Sequence, residues 1–155
     1  MRKSKTVLLA AILLVTAACI HKQTGTVTPK EKAATFNAVF AETNNTIEQG
    51  AEAAVRSGLL TPEQGAPVIA FTGQAATVHL QITAILAQST ITTKDIASIQ
   101  ALLDQIKKSG DQAIASGAIG IKNPKTQNTF AKDFDSLYAA ADAILSALQQ
   151  LQAGG

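Results

Sequence analysis

Four stretches of this chain repeat apolar residues at alternating spacings of three and four. That pattern dictates the fold more strongly than any other feature of its 155 residues. The first segment, about Pro29 to Ser57, carries Phe36, Phe40, Thr43, Ile47, Gly50 and Ala54 on one stripe. The second, about Pro62 to Gln88, carries Val68, Phe71, Ala75, Val78, Ile82 and Ile85. The third, about Thr93 to Ser116, carries Ile96, Ile99, Leu103, Ile106, Gly110 and Ile114. The fourth, about Pro124 to Gln152, carries Phe130, Phe134, Leu137, Ala141, Ile144, Leu148 and Leu151 with no polar interruption. A stripe at this period faces one side of an α-helix, and four such helices must bury their stripes against one another.

The punctuation agrees with the periodicity. Thr28-Pro29, Thr61-Pro62 and Asn123-Pro124 place a proline where a helix tolerates a missing N–H, and Gln64 completes a capping box with Thr61. Thr92 or Thr93 can cap the third helix, and Ser57-Gly58 and Gly117 are stop signals. Leu60, Ile91 and Ile121 precede helix starts, where they can act as hydrophobic staples. Two features of the second segment compete with a single helix. Pro67 predicts a kink or a fresh start, and Val78 to Thr83 alternates as a strand would. Its length and alanine content favour a helix. The links between segments are short, so the expected fold is all-α, an antiparallel up-down four-helix bundle. Aromatic residues are 4% of the chain, with no Trp, which favours helices packed through small side chains over a sheet.

Ahead of the bundle lies a different kind of segment. Arg2, Lys3 and Lys5 precede a twelve-residue uncharged run, Val7 to Ala18. A membrane-spanning helix needs about 20 apolar residues, so this run fits a cleaved export signal. It ends Thr16-Ala17-Ala18-Cys19, and Cys19 is the only cysteine in the chain. A lone thiol in an exported protein can pair only between molecules unless something consumes it.

The junction resembles the lipobox of bacterial lipoproteins, small residues before an obligatory cysteine. The resemblance covers residues 1–19 alone. It implies cleavage before Cys19, a diacylglycerol thioether on its sulfur and acylation of the new N-terminus. Thr16 stands where the family most often has Leu, and Thr16-Ala17-Ala18 also satisfies an ordinary small-x-small cleavage site. The residue after Cys19 is Ile20 rather than Asp; by resemblance this implies an outer membrane facing the periplasm, where the source has one. The organisation expected is thus a signal peptide over 1–18, lipidated Cys19 with a polar tether to Pro29, and a helical domain over 30–155.

The chemistry-bearing residues are few. Without Arg2, Lys3 and Lys5, ten basic residues face eleven acidic ones, a formal charge of −1. Lys107-Lys108 is then the one adjacent basic pair, which argues against a nucleic-acid partner. His79 has no Asp or Glu at helical spacing and reads as a boundary histidine; His21 belongs to the tether. Glu42, Glu48, Glu52, Asp104, Asp111, Asp133, Asp135 and Asp142 fall mostly off the stripes and read as solvated. Asn44-Asn45-Thr46 matches a glycosylation sequon, a weak signal within a helix. Thr43, Asn44 and Asn45 interrupt the apolar pattern; solvent exposure is one reading and a register-fixing polar layer the other.

No phosphate loop, zinc-hydrolase motif or nucleophile elbow occurs, so neither catalysis nor a cofactor or metal is expected. The expected role is that of a membrane-anchored envelope protein acting as scaffold or interaction partner, through an envelope protein or self-association. Binding of a small apolar ligand is the alternative, because Gly50, Ala54, Ala75, Gly110 and Ala141 either draw helices together or leave a cavity. Replacing Cys19 by Ser is expected to abolish both lipid labelling and membrane association in fractionated cells. Retention without label would instead make Val7 to Ala18 the anchor.

Overall fold

A computed structural model describes residues 27–117 and 124–153. Thr16, Ala17, Ala18, Cys19, His21 and Ile121 lie outside the described residues. Four helices make up the fold: α1 (Pro29–Arg56), α2 (Pro62–Leu86), α3 (Thr93–Gly117) and α4 (Pro124–Ala153). No strand occurs among the described residues. The helices pack as a closed ring, α1 on α2, α2 on α3, α3 on α4 and α4 back on α1, which makes a helical bundle.

Each helix begins where local chemistry permits. Thr28 caps α1 and Thr61 caps α2, both in full capping boxes, with Glu31 and Gln64 reaching back to the cap backbone. Before α3, the Thr92 hydroxyl accepts from the Asp95 N–H at 3.2 Å, and the Asp95 carboxylate accepts from the Thr92 N–H at 2.8 Å. The Thr92 hydroxyl and backbone N–H hold the Asp95 carboxyl below its ordinary range; the Thr28 N–H and hydroxyl do the same for Glu31. Helix α1 stops because Gly58 adopts φ +72°, a left-handed conformation that suits glycine. The chain then folds back, and the N–H groups of Leu59 and Leu60 both reach the Ala54 carbonyl. Leu60 is buried beneath the following helix start and Ile91 is half-buried against the core. Ile91 has an apolar residue, Ile96, at the staple position of α3, whereas the corresponding residue of α2 is Gly65, so Leu60 is buried without a staple partner.

One expectation is narrowed and one needs correcting. Helix α2 runs continuously through Pro67, without a fresh start. Pro67 lies past the first turn, so the helix continues without a bond to the Glu63 carbonyl. The stripe on α1 is also rotated from the expected one. Its buried face is Ala33, Asn37, Phe40, Asn44, Ile47, Ala51 and Ala54, a clean heptad pattern. Phe36 and Thr43 are half-buried and Gly50 is exposed. Helix α1 packs against both α2 and α4, so its buried face is centred between them. Ala33 and Ala51 give little apolar signal, and Asn37 and Asn44 give none.

The other three stripes are buried much as their spacing implies, with Ile85, Ile114 and Leu151 half-buried at the margins. Where they meet, the small residue matters. Gly110 of α3 lies under an aromatic cluster: Phe71 and Phe134 rings are 5.0 Å apart and tilted, and Phe134 and Tyr138 are 6.2 Å apart, edge to face. A methyl at Gly110 would overlap the Tyr138 hydroxyl and press on Phe71 and Phe134 at 3.1 and 3.2 Å. That hydroxyl is not free to yield. Its single proton is shared between Asp111 Oδ1 at 2.9 Å and the Lys107 carbonyl at 3.1 Å. Gly110 therefore draws helices together. Gly73, at mid-helix in α2, has nothing within 4 Å of an added methyl. Gly73→Ala is expected to stabilise the fold by about 0.5–1 kcal/mol in urea unfolding, through helix propensity alone. Gly110→Ala is expected to destabilise it by about 1–3 kcal/mol through overpacking.

Candidate functional site

Three places in the bundle have more than packing to explain. The first is the seam between α1 and α2. Asn37 and Asn44 are 3% and 4% exposed, a heptad apart on α1. Asn44 Nδ2 donates to the Thr72 carbonyl at 2.9 Å. Asn37 Nδ2 donates to Thr83 Oγ1 at 2.9 Å and to the His79 carbonyl at 3.3 Å. Thr72 is itself fully buried, with its hydroxyl returned to the Ile69 carbonyl at 2.8 Å. Of Thr43, Asn44 and Asn45, only Asn44 is buried. A polar layer therefore exists, but its second member is Asn37, which apolar patterning overlooked. The usable signal was the asparagine repeat at i and i+7, in phase with Phe40 and Ile47.

These amides satisfy their donors and strand their acceptors. Asn37 Oδ1, Asn44 Oδ1 and His79 Nδ1 are buried without a hydrogen-bond partner. A buried polar atom left unpaired costs about 1–3 kcal/mol, against about 0.5–1.5 kcal/mol gained from a typical hydrogen bond. The balance disfavours asparagine for stability. What the pair supplies is register, since a shift of α1 along α2 would also strand the donors.

The second place is the outward face of α2. This helix has one ionised residue, Glu63, in 25. Helix α1 has seven in 28, α3 six in 25 and α4 five in 30. Ala66, Ile69, Gly73, Ala76, Leu80 and Ala84 form one solvent-facing stripe, with Leu80 65% and Ile69 37% exposed. The helix passes the length and composition test for a membrane span, yet only 33% of its most apolar window is buried inside the bundle. Packing between α1 and α3 thus accounts for one side of its apolar character. The shortage of charge was readable in the sequence; its placement on an outward face was not.

The third place is an open groove of about 430 Å³ between α1 and α4, lined by Gly50, Ala53, Ala54, Leu59, Phe130 and Asp133 among others. Burial at its edge pushes the Asp133 carboxyl up from its ordinary range. Gly50 here borders open space, the opposite outcome to Gly110.

The remaining polar residues are dispersed. His79 is half-buried at the α1–α2 boundary, as its spacing implied. Glu42, Glu52, Asp104, Asp111, Asp135 and Asp142 are exposed, and Glu48 and Asp133 are half-buried. No group of three or more His, Cys, Asp or Glu side chains converges as metal ligands would, among the described residues. Lys107 pairs with Asp142 across α3 and α4. Burial, and then the hydrogen bond and charge of Asp111, raise the Tyr138 hydroxyl well above the usual phenol range, so it serves as a neutral donor. Comparison with known proteins returned no matching family model, no matching curated protein and no matching solved structure.

The seam yields a direct test of this energetic balance. Asn44→Leu keeps the side-chain size and removes the stranded acceptor, while the Thr72 carbonyl keeps its intrahelical partner. The variant is expected to be more stable than the parent by about 1 kcal/mol in urea unfolding. A loss of stability would mean that Asn44 Oδ1 has a partner.

Proposed function

We propose that this chain is an envelope lipoprotein, cleaved and lipidated at Cys19, whose bundle offers the outward face of α2 to a protein partner without catalysing a reaction. The observation that carries the reading is that face. It is exposed, continuous over most of a 25-residue helix, and has no ionised group beyond Glu63. Burying it desolvates no charge, so association there costs less than on any other helix of the bundle. Contiguous apolar patches of this kind mark interaction sites. The lipobox-like junction supports the location: two or three acyl chains, at about 0.8 kcal/mol per buried methylene, anchor stably. A tether of about ten residues spans at most roughly 35 Å, which keeps the bundle near the bilayer.

The antiparallel up-down course belongs to the same reading. Asn37 meets Thr83 while Asn44 meets Thr72, and Gly65 faces Val55. Positions on α2 fall as those on α1 rise, which supports opposed directions. A second reading, binding of a small apolar ligand, is favoured by the open groove beside Gly50, Ala54 and Phe130.

Photo-crosslinking in intact cells tests the main reading. A crosslinker at position 80 on α2 is expected to give a discrete protein adduct, and one at position 108 on the charged face of α3 none. Ala76→Glu in the same background is expected to abolish the adduct while changing stability by less than about 0.5 kcal/mol, as for other exposed positions. Equal labelling from both positions, or none from position 80, would refute an α2 docking face.

A further inference from the structure

A separate groove lies over the α1–α2 seam, about 400 Å³ in volume and open to solvent. Ala34, Ala38, Leu86 and Ala87 give it apolar walls, and Asn37, His79 and Thr83 also line it. Two of the three stranded polar atoms among the described residues, Asn37 Oδ1 and His79 Nδ1, belong to side chains of this lining and are buried just beneath it. Asn37 cannot relieve its acceptor by an amide flip. Its Nδ2 is committed to the His79 carbonyl and Thr83 Oγ1, and the Thr83 hydroxyl hydrogen already goes to the His79 carbonyl at 2.8 Å. With the ring proton on Nε2, His79 Nδ1 is an acceptor as well. Apolar walls with a few convergent polar groups are the usual make-up of a small-molecule site.

We infer that the α1–α2 groove binds a small neutral amphiphile, an apolar chain of several carbons ending in a hydroxyl that donates to Asn37 Oδ1 or His79 Nδ1. The chain lies along Ala34, Ala38 and Leu86, and the hydroxyl ends between the two acceptors. Both atoms are sealed from bulk water, so the donor reaches them with a shift of the half-buried His79 ring. An anionic head is disfavoured because the stranded atoms accept hydrogen bonds. The inference rests on the small-ligand reading of the bundle and is independent of the α2 face.

The probe is 1-hexanol, titrated into the isotope-labelled full chain, with its methyl ether as the matched molecule lacking a donor. Saturable NMR shifts are expected at the Asn37 side-chain amide and the His79 ring, with a Kd on the order of 1 mM for so small a ligand. The ether is expected to bind about tenfold more weakly or worse, since it leaves the acceptors unpaired. Ala38→Leu fills the groove from an exposed position, and Ala34→Leu does the same one turn earlier. Either variant should lose the shifts while resonances on α3 and α4 stay in place. Equal binding of alcohol and ether would overturn the inference. So would a long-lived water at Asn37 that hexanol does not displace. Saturable shifts confined to the Gly50–Phe130 groove would overturn this site and leave the small-ligand reading standing. No saturable shift anywhere would overturn both.

Discussion

The contact on which the bundle most depends is the seating of the Phe71, Phe134 and Tyr138 rings around Gly110. Three helices meet there, and the missing side chain on α3 is what lets the rings of α2 and α4 close over it. Elsewhere the core is mostly alanine, isoleucine and leucine, with Phe40 of α1 and Phe130 of α4 as its other buried rings. Close packing of this kind transmits small changes in volume directly, because interiors have few voids to absorb them. The neutral Tyr138 hydroxyl completes the arrangement by tying α4 to the backbone of α3.

Opposite this cluster the logic changes. The α1–α2 seam is closed by asparagine amides bonded to carbonyls of α2, and each amide leaves an acceptor behind. Hydrophobic burial would tolerate several sliding positions along such alanine-rich helices. Paired donors separated by one heptad tolerate one. The bundle thus combines a side whose stability comes from interlocked rings with a side whose alignment comes from directional bonds.

The helices were legible in the sequence because their signals coincide. Apolar spacing, proline at the first turn and Thr caps point to the same starts, so α1 to α4 begin at Pro29, Pro62, Thr93 and Pro124 as expected. The rotation of α1 was not legible, because Ala33, Asn37, Asn44 and Ala51 carry weak or contrary apolar signals while Phe36 and Thr43 only border the core. The candidate sites were less readable still. Neither a groove nor an outward face exists until helices are placed around a ring. Lone residues such as His79 and Asn37 acquire meaning only from the groups across the seam. Val78 to Thr83 shows the converse: its strand-like alternation is overruled by the helix around it, as tertiary context commonly overrules short-range pattern.

The capping box at Thr28 has a mechanical consequence. A pull on the chain ahead of Val27 enters the fold at the Thr28–Glu31 pair, next to the Lys30 contact with the Gln88 carbonyl. From there the load runs along α1 past Asn37 and then Asn44, the side-chain bonds that fasten it to α2. Force directed across the bundle would break them one at a time, as in a zipper. Force along the helix axis would load both together with the faces packed on α2 and α4. The same bundle is therefore weak to peeling and strong to shear, and the direction of an applied load determines which response it meets.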